Sequence, residues 1–239
     1  MDKNVLIVNY NTNILTQCCI KSVNKFTPGC KIYVFDNSDT EPFVNVFDNV
    51  EVIDNTKHQI IDFGKWLQKY PNRYNSVEKT QTYASAKHTY TIQTFMDMFD
   101  DDFVLLDSDV LLKKNISDIW DDKYIYVAQV INQTPRIKRV LPFICFINNK
   151  LCKENNVHFF NENRMHGLAK CDIVRDGDFY DTGANFYIEA QGFPHREINN
   201  SDYVEHYKGG SWEKIHNKLF RKDAISSETW LEKNKFLWS

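Results

Sequence analysis

The sequence predicts an α/β domain built on a largely parallel sheet. Three observations carry this. Short apolar runs, "VLIV" (5–8), "KIYVF" (31–35), "VEVI" (50–53) and "FVLL" (103–106), recur along the first half. Segments of helical periodicity lie between several of them, and strands that alternate with helices pair in parallel through right-handed crossovers. Polar clusters follow three of the runs: "NYN", "DNSD" and "DSD". In open α/β sheets, ligands bind beyond the carboxyl ends of the strands, so these clusters predict one site at one edge of the sheet.

The elements follow in order. "LTQCCIKSVNKF" (15–26) places Leu15, Cys18, Cys19 and Val23 at helical spacing, and "PGC" ends it. Residues 54–78 are polar and give no clear element. A long helix is predicted from Glu78 to Phe99, with His88, Ile92, Phe95 and Phe99 on one face. It feeds the strand that ends at Asp107. In the second half, "KYIYVAQV" (123–130) and "VLPFICFIN" (140–148) predict strands of a mixed sheet. "DTGANFYIEAQ" (181–191) predicts a short helix opened by Asp181, and "YVEHYKGGSW" (203–212) a strand or loop ending in glycines.

The chain has 239 residues, of which 42% are apolar, enough for a sizeable core. A net charge of −3 excludes a nucleic-acid footprint. The six cysteines make no metal-binding or redox pair and read as free thiols of a reducing compartment. No run approaches the ~20 apolar residues of a membrane span, so a soluble, cytoplasmic protein is expected.

The chemistry starts from "FVLLDSDVLL" (103–112). Burying a carboxylate costs several kcal/mol unless a cation pairs with it, and here two acids stand one residue apart at the end of an apolar strand. A hard divalent cation, Mg²⁺ or Mn²⁺, suits such a pair and takes substrate phosphate oxygens as its other ligands. The alternatives are a helix cap or a solvated turn.

The order of these motifs resembles the GT-A glycosyltransferases, in particular the family-two-like enzymes of bacterial surface-polysaccharide synthesis. The resemblance spans residues 3–212. "VLIVNYNT" is similar to the first strand and nucleotide-binding turn of that family, "IYVFDNSD" to the strand whose acidic end reads the base and ribose, and "DSD" to its metal-binding Asp-x-Asp. "DTG" (181–183) lies where the group often carries its catalytic acid. "HYKGGSW" (206–212) resembles both the segment that closes over the diphosphate and the His-x-x-Gly segment of some retaining enzymes. One departure is "SAKHTY" (85–90), where many relatives carry Arg-Asn.

The resemblance implies a metal-dependent transfer of a sugar, from a UDP-hexose or similar donor, to a glycan or lipid-linked acceptor. It implies inversion with Asp181 as base, Asp178 and Glu189 being the fallback acids. Asp107, Asp109 and His206 would hold the ion. Val8, Tyr10, Asn11, Asp36, Asn37, His88, Asp107, Ser108, Asp109 and Lys208 would bind the nucleotide sugar, with Lys87 adding charge near the phosphates. Each also has a structural alternative: Asp36 an Asx-turn, His88 a core histidine, His206 a surface residue, Asp181 an N-cap.

Two rival enzymes share parts of the pattern. "LLDSDV" comes close to the first motif of the haloacid-type phosphatases, but that motif should end the first strand, not one behind three others. A sugar-phosphate nucleotidyltransferase lacks its Gly-rich first loop here. A nucleotide-sugar-binding domain without activity is the non-enzymatic alternative. Residues 213–239 are expected to form a helical appendage. Trp230, Leu231, Phe236, Leu237 and Trp238 predict that it packs on the domain or on a second subunit, or lies on the inner membrane face near a lipid-linked acceptor.

Overall fold

The computed structural model describes residues 3–65, 80–161, 180–207 and 225–239. The chain opens with strand β1 (Asn4–Asn9), helix α1 (Asn13–Phe26), β2 (Lys31–Asp36) and β3 (Val50–Asp54). Helix α2 (Thr80–Met98) leads into β4 (Phe103–Asp107), and a tight turn into β5 (Val110–Leu112). Then come β6 (Tyr126–Asn132), β7 (Lys138–Ile147), α3 (Asn149–Glu154), α4 (Ala184–Glu189), β8 (His195–Glu197), β9 (Val204–His206) and α5 (Ser227–Lys233).

Seven strands form one mixed sheet in the order β3-β2-β1-β4-β7-β6-β8, and β5 pairs with β9 in a second, two-stranded sheet. Strands β3, β2, β1 and β4 are parallel, whereas β7 runs antiparallel to both β4 and β6. Parallel strands covered on both faces read as unbroken apolar runs, which is why β1, β2 and β4 were visible in the sequence, whereas β3 at the sheet edge alternates and exposes Glu51. Alternate residues feed opposite layers. Leu6, Tyr33, Phe35, Phe103 and Leu105 pack toward Phe95 and Met96 of α2, while Val5, Ile7, Val34, Val104 and Leu106 pack toward Cys19, Ile20 and Val23 of α1.

The chain leaves β1 to build β2 on one side and β4 on the other, so β1 and β4 flank the point where strand order reverses. Their carboxyl ends lie side by side, Val8 opposite Asp107.

The second half departs from expectation in detail. Strand β6 begins at Tyr126, later than the predicted start, because residues 121–124 turn. Strand β7 begins earlier, at Lys138. Helix α4 is not opened by Asp181: its N-cap is Gly183, with φ of 85°. A Cβ there would lie 2.1 Å from the Val140 carbonyl oxygen, so glycine is required both for the backbone angle and for the approach of α4 to β7. The five described cysteines are free and buried; Cys171 lies outside the described residues.

The tail packs on the domain. Trp230, Leu231 and Leu237 are buried with Leu15 and Cys18 of α1, Leu111 of β5 and Tyr207, and only Phe236 of the five apolar tail residues is largely exposed, at 66%. Trp238 Nε1 donates to the Leu231 carbonyl, and Lys25 Nζ donates to that of Phe236. The expected boundary near residue 212 lies outside the described residues. Among the described residues no helix is long and apolar enough to cross a membrane. Truncating the buried Trp230 to Ala should lower stability by about 3 kcal/mol, as for other buried aromatic deletions. Urea denaturation measures it, and a loss below about 0.5 kcal/mol would mean the tail adds nothing to the fold.

Candidate active site

The loops after β1 and β2 are tied together by buried side chains. Asn9 Nδ2 donates to Asp36 Oδ1 at 2.8 Å and to Ser38 Oγ at 2.9 Å. Asn9 Oδ1 accepts from the hydroxyls of Thr12 and Thr16. Asn11 sits in the left-handed region, φ 54°, and its Oδ1 accepts from the amides of Thr40 and Glu41.

This network engages two of the residues expected at the base. The Asp36 carboxylate is 2% exposed and accepts from Asn9, from the amide and hydroxyl of Ser38, and from the Phe43 amide. It forms the Asx-turn and ties the loop together. Asn37 is equally buried, donating to Thr91 Oγ1 and accepting from Asn55 Nδ2. Of the remaining expected contacts, Val8 is buried in the strand, while Tyr10 and Asn11 lie at the rim. The Tyr10 hydroxyl donates to Asp39 at 2.6 Å, and Lys87 Nζ lies 4.6 Å over the Tyr10 ring. Burial lowers the Lys87 pKa, against the pull of Asp39.

At the neighbouring strand end, Asp107 closes β4, Ser108 and Asp109 turn, and β5 pairs with β9 so that Val110 faces His206. The Tyr207 amide donates to the Asp109 carbonyl, fixing the register. Ser108 Oγ is 3.0 Å from Thr12 Oγ1, which joins this turn to the loop network. His206 Nε2 lies 3.4 Å from Asp109 Oδ1, and its ring packs on Phe143 with centroids 3.8 Å apart. His88 Nε2 lies 3.6 Å from Asp107 Oδ1. One ligand atom each from Asp107, Asp109 and His206 fall within 4.8 Å of one another.

Electrostatics make this cluster costly. Burial, then the charge of Asp109, pushes the Asp107 carboxyl up to about 7, against the opposing pull of His206 and Arg139. Asp107 Oδ1 is buried and has no hydrogen-bond partner among the described residues. Burial holds His88 down at about 4 despite the pull of Asp181 and Asp109, so it stands as a neutral ring. Two carboxylates, one of them with an oxygen left unpartnered among the described residues, and an imidazole are a donor set that fits a divalent cation.

Asp181 is held firmly. Its Oδ1 accepts from Ser85 Oγ at 2.6 Å and from the Thr182 amide at 2.8 Å, and its Oδ2 pairs with Arg139 Nη1. Its own amide donates to Gln133 Oε1. The fallback acid Glu189 is engaged by His158 and Asn161. Asp178 and Lys208 lie outside the described residues. Ser85, Arg139 and Phe143 were not anticipated: Arg139 precedes the predicted strand, Phe143 was read only for its apolar character, and nothing local marks a lone Arg or Ser as facing a distant acid.

No protein-family model matches the chain, and no curated relative does. Solved structures do. A galactosyltransferase, LgtC, determined with donor and acceptor sugar analogues, aligns over 99% of this chain and 96% of its own, with a TM-score of 0.54 at 12% identity. The glycosyltransferase GlyE of Streptococcus pneumoniae TIGR4 aligns over 97% of this chain and 60% of its own, with a TM-score of 0.51 at 11% identity. The chain has the GT-A fold.

A carboxyl whose pKa is raised to about 7 in the folded state binds its proton more tightly there than when unfolded. The metal-free protein therefore loses stability as pH rises from about 4, the unfolded value, toward 7. Asp107→Asn should remove that slope and melt higher than wild type at pH 8 without metal. If the cluster holds a divalent ion, Mn²⁺ should raise the melting temperature of wild type and not that of the Asn variant. An Asn variant that melts lower than wild type and still responds to Mn²⁺ would show that the acid is not strained and holds no ion.

Proposed function

We propose that this chain is a metal-dependent glycosyltransferase that moves a sugar from a nucleoside-diphosphate donor to a hydroxyl of a glycan or lipid-linked acceptor. The observation that carries the reading is the Asp107, Asp109 and His206 cluster at the strand-order switch point of a GT-A sheet. Asp107, Asp109 and His206 would hold Mn²⁺ or Mg²⁺. When bound, the ion neutralises charge on the departing diphosphate, Lewis-acid help worth several kcal/mol.

The chain's own residues do the rest. The rim formed by Tyr10, Asn11, Asp39 and Lys87 receives the nucleoside, which we take to be uridine, and Lys87 adds positive charge beside it. His88, neutral, can accept or donate one hydrogen bond next to Asp107. For an inverting transfer, Asp181 is the carboxylate we assign to the acceptor's proton. A hydroxyl is a poor nucleophile at neutral pH, and taking its proton in the transition state contributes typically 10²–10⁴-fold. Gly183 keeps the backbone beside Asp181 free of a side chain.

Two variants test this. Asp109→Ala should abolish transfer from UDP-hexoses in Mn²⁺ and leave the fold intact; full activity of the wild type in EDTA would sink the metal reading. Asp181→Asn should slow transfer by at least ~10²-fold. Because Asp181 is an ion-pair partner and not a helix cap, that variant should also lose about 1–3 kcal/mol of stability. Transfer at near wild-type rate would mean that Asp181 is not the base.

A further inference from the structure

Strand β7 outruns its neighbour. The last ladder pair between β4 and β7 is Leu106 with Ile144, so Lys138–Phe143 runs past the end of β4, beyond Asp107. The ladder with β6 is irregular between Cys145 and Val140, where Pro142 removes a donor. The start of β7 is instead locked to the turn before α4: the Val140 amide donates to the Gly183 carbonyl, and Gly183 lies against the Val140 backbone.

That lock fixes Arg139 and Asp181 on joined elements. Both side chains are mostly buried, 18% and 23% exposed, and they form an ion pair. Ser85, which donates to Asp181, stands one helical turn from His88, whose Nε2 lies 3.6 Å from Asp107 Oδ1, and this places the pair on the same side as the acidic cluster. The Arg139 Nε is buried and has no hydrogen-bond partner among the described residues. A guanidinium carries five N–H donors in a fixed fork, and a buried one left unmet is a group that a ligand oxygen can satisfy.

We propose that Arg139 is a donor-binding residue. Oriented by Asp181, it donates hydrogen bonds to the sugar of the nucleotide donor and makes the site selective for an uncharged sugar. This rests on the functional reading above, since the sugar follows directly after the diphosphate held at Asp107 and Asp109. The selectivity follows from charge. Arg139 and Asp181 cancel, leaving a neutral pair of donor and acceptor that suits hydroxyls. A sugar carboxylate would meet a cation already neutralised and, next to it, the Asp181 carboxylate.

The test is titration calorimetry in Mn²⁺ with UDP and GDP, each compared with its hexose and hexuronate conjugates. Wild type should bind the hexose conjugate more tightly than the hexuronate. Arg139→Met should weaken the hexose conjugate by about tenfold, the value of one hydrogen bond, and leave the free nucleoside diphosphate within about twofold. Arg139→Lys, which keeps the charge without the fork, should fall between; it carries the same comparison if the Met variant does not fold. Equal losses for diphosphate and conjugate, no loss for either, or a wild-type preference for the hexuronate would overturn the assignment. Wild type that binds no nucleoside diphosphate would overturn the functional reading itself.

Discussion

Two acids held one residue apart in a half-buried turn are the constraint around which this structure is organised. Burial and the charge of Asp109 push the Asp107 carboxyl up to about 7, so the pair is costly to hold ionised. Among the described residues, His88 approaches Asp107 at 3.6 Å and His206 approaches Asp109 at 3.4 Å. The scaffold nevertheless fixes the acids rigidly. Asp107 ends a strand hydrogen-bonded on both sides, and Asp109 is pinned by the β5–β9 pairing. A site that holds its charges in a costly arrangement in advance is organised for a ligand that reverses the cost.

The rest of the molecule serves this turn. The buried amide and hydroxyl network of Asn9, Thr12, Thr16, Asp36 and Ser38 sets the height of the β1 loop, and Thr12 passes that position on to Ser108. Helix α2 delivers Ser85, Lys87 and His88 from one side, and the overhang of β7 delivers Arg139 and Phe143 from the other. The tail closes over α1 and β5, covering the back of the strand that carries His206's partner.

Much of this was legible in the sequence, and the reasons are physical. Parallel strands buried on both faces write themselves as apolar runs, and α1 and α2 as helical stripes, so the switch point and its Asp-x-Asp could be located from order alone. What could not be read was how each polar side chain spends its hydrogen bonds. Asp36 and Asn37 stand at a strand end, as a base-reading pair would, and each also ties its loop to neighbouring elements. Asp181 precedes a helix, as an N-cap would, yet its carboxylate turns to Arg139 and Ser85 while Gly183 caps. The Arg139–Asp181 pair joins residues 42 apart across an irregular strand, and no local pattern encodes such a pairing.

The central claim is that this acidic turn is a metal centre. It is tested most directly by crystals grown with Mn²⁺ and a nucleoside diphosphate, measured at a wavelength where manganese scatters anomalously. The account predicts one strong anomalous peak in contact with the carboxylates of Asp107 and Asp109 and with the imidazole of His206. A cluster empty of anomalous density in crystals where the nucleotide is bound elsewhere, or bound without an ion, would contradict it.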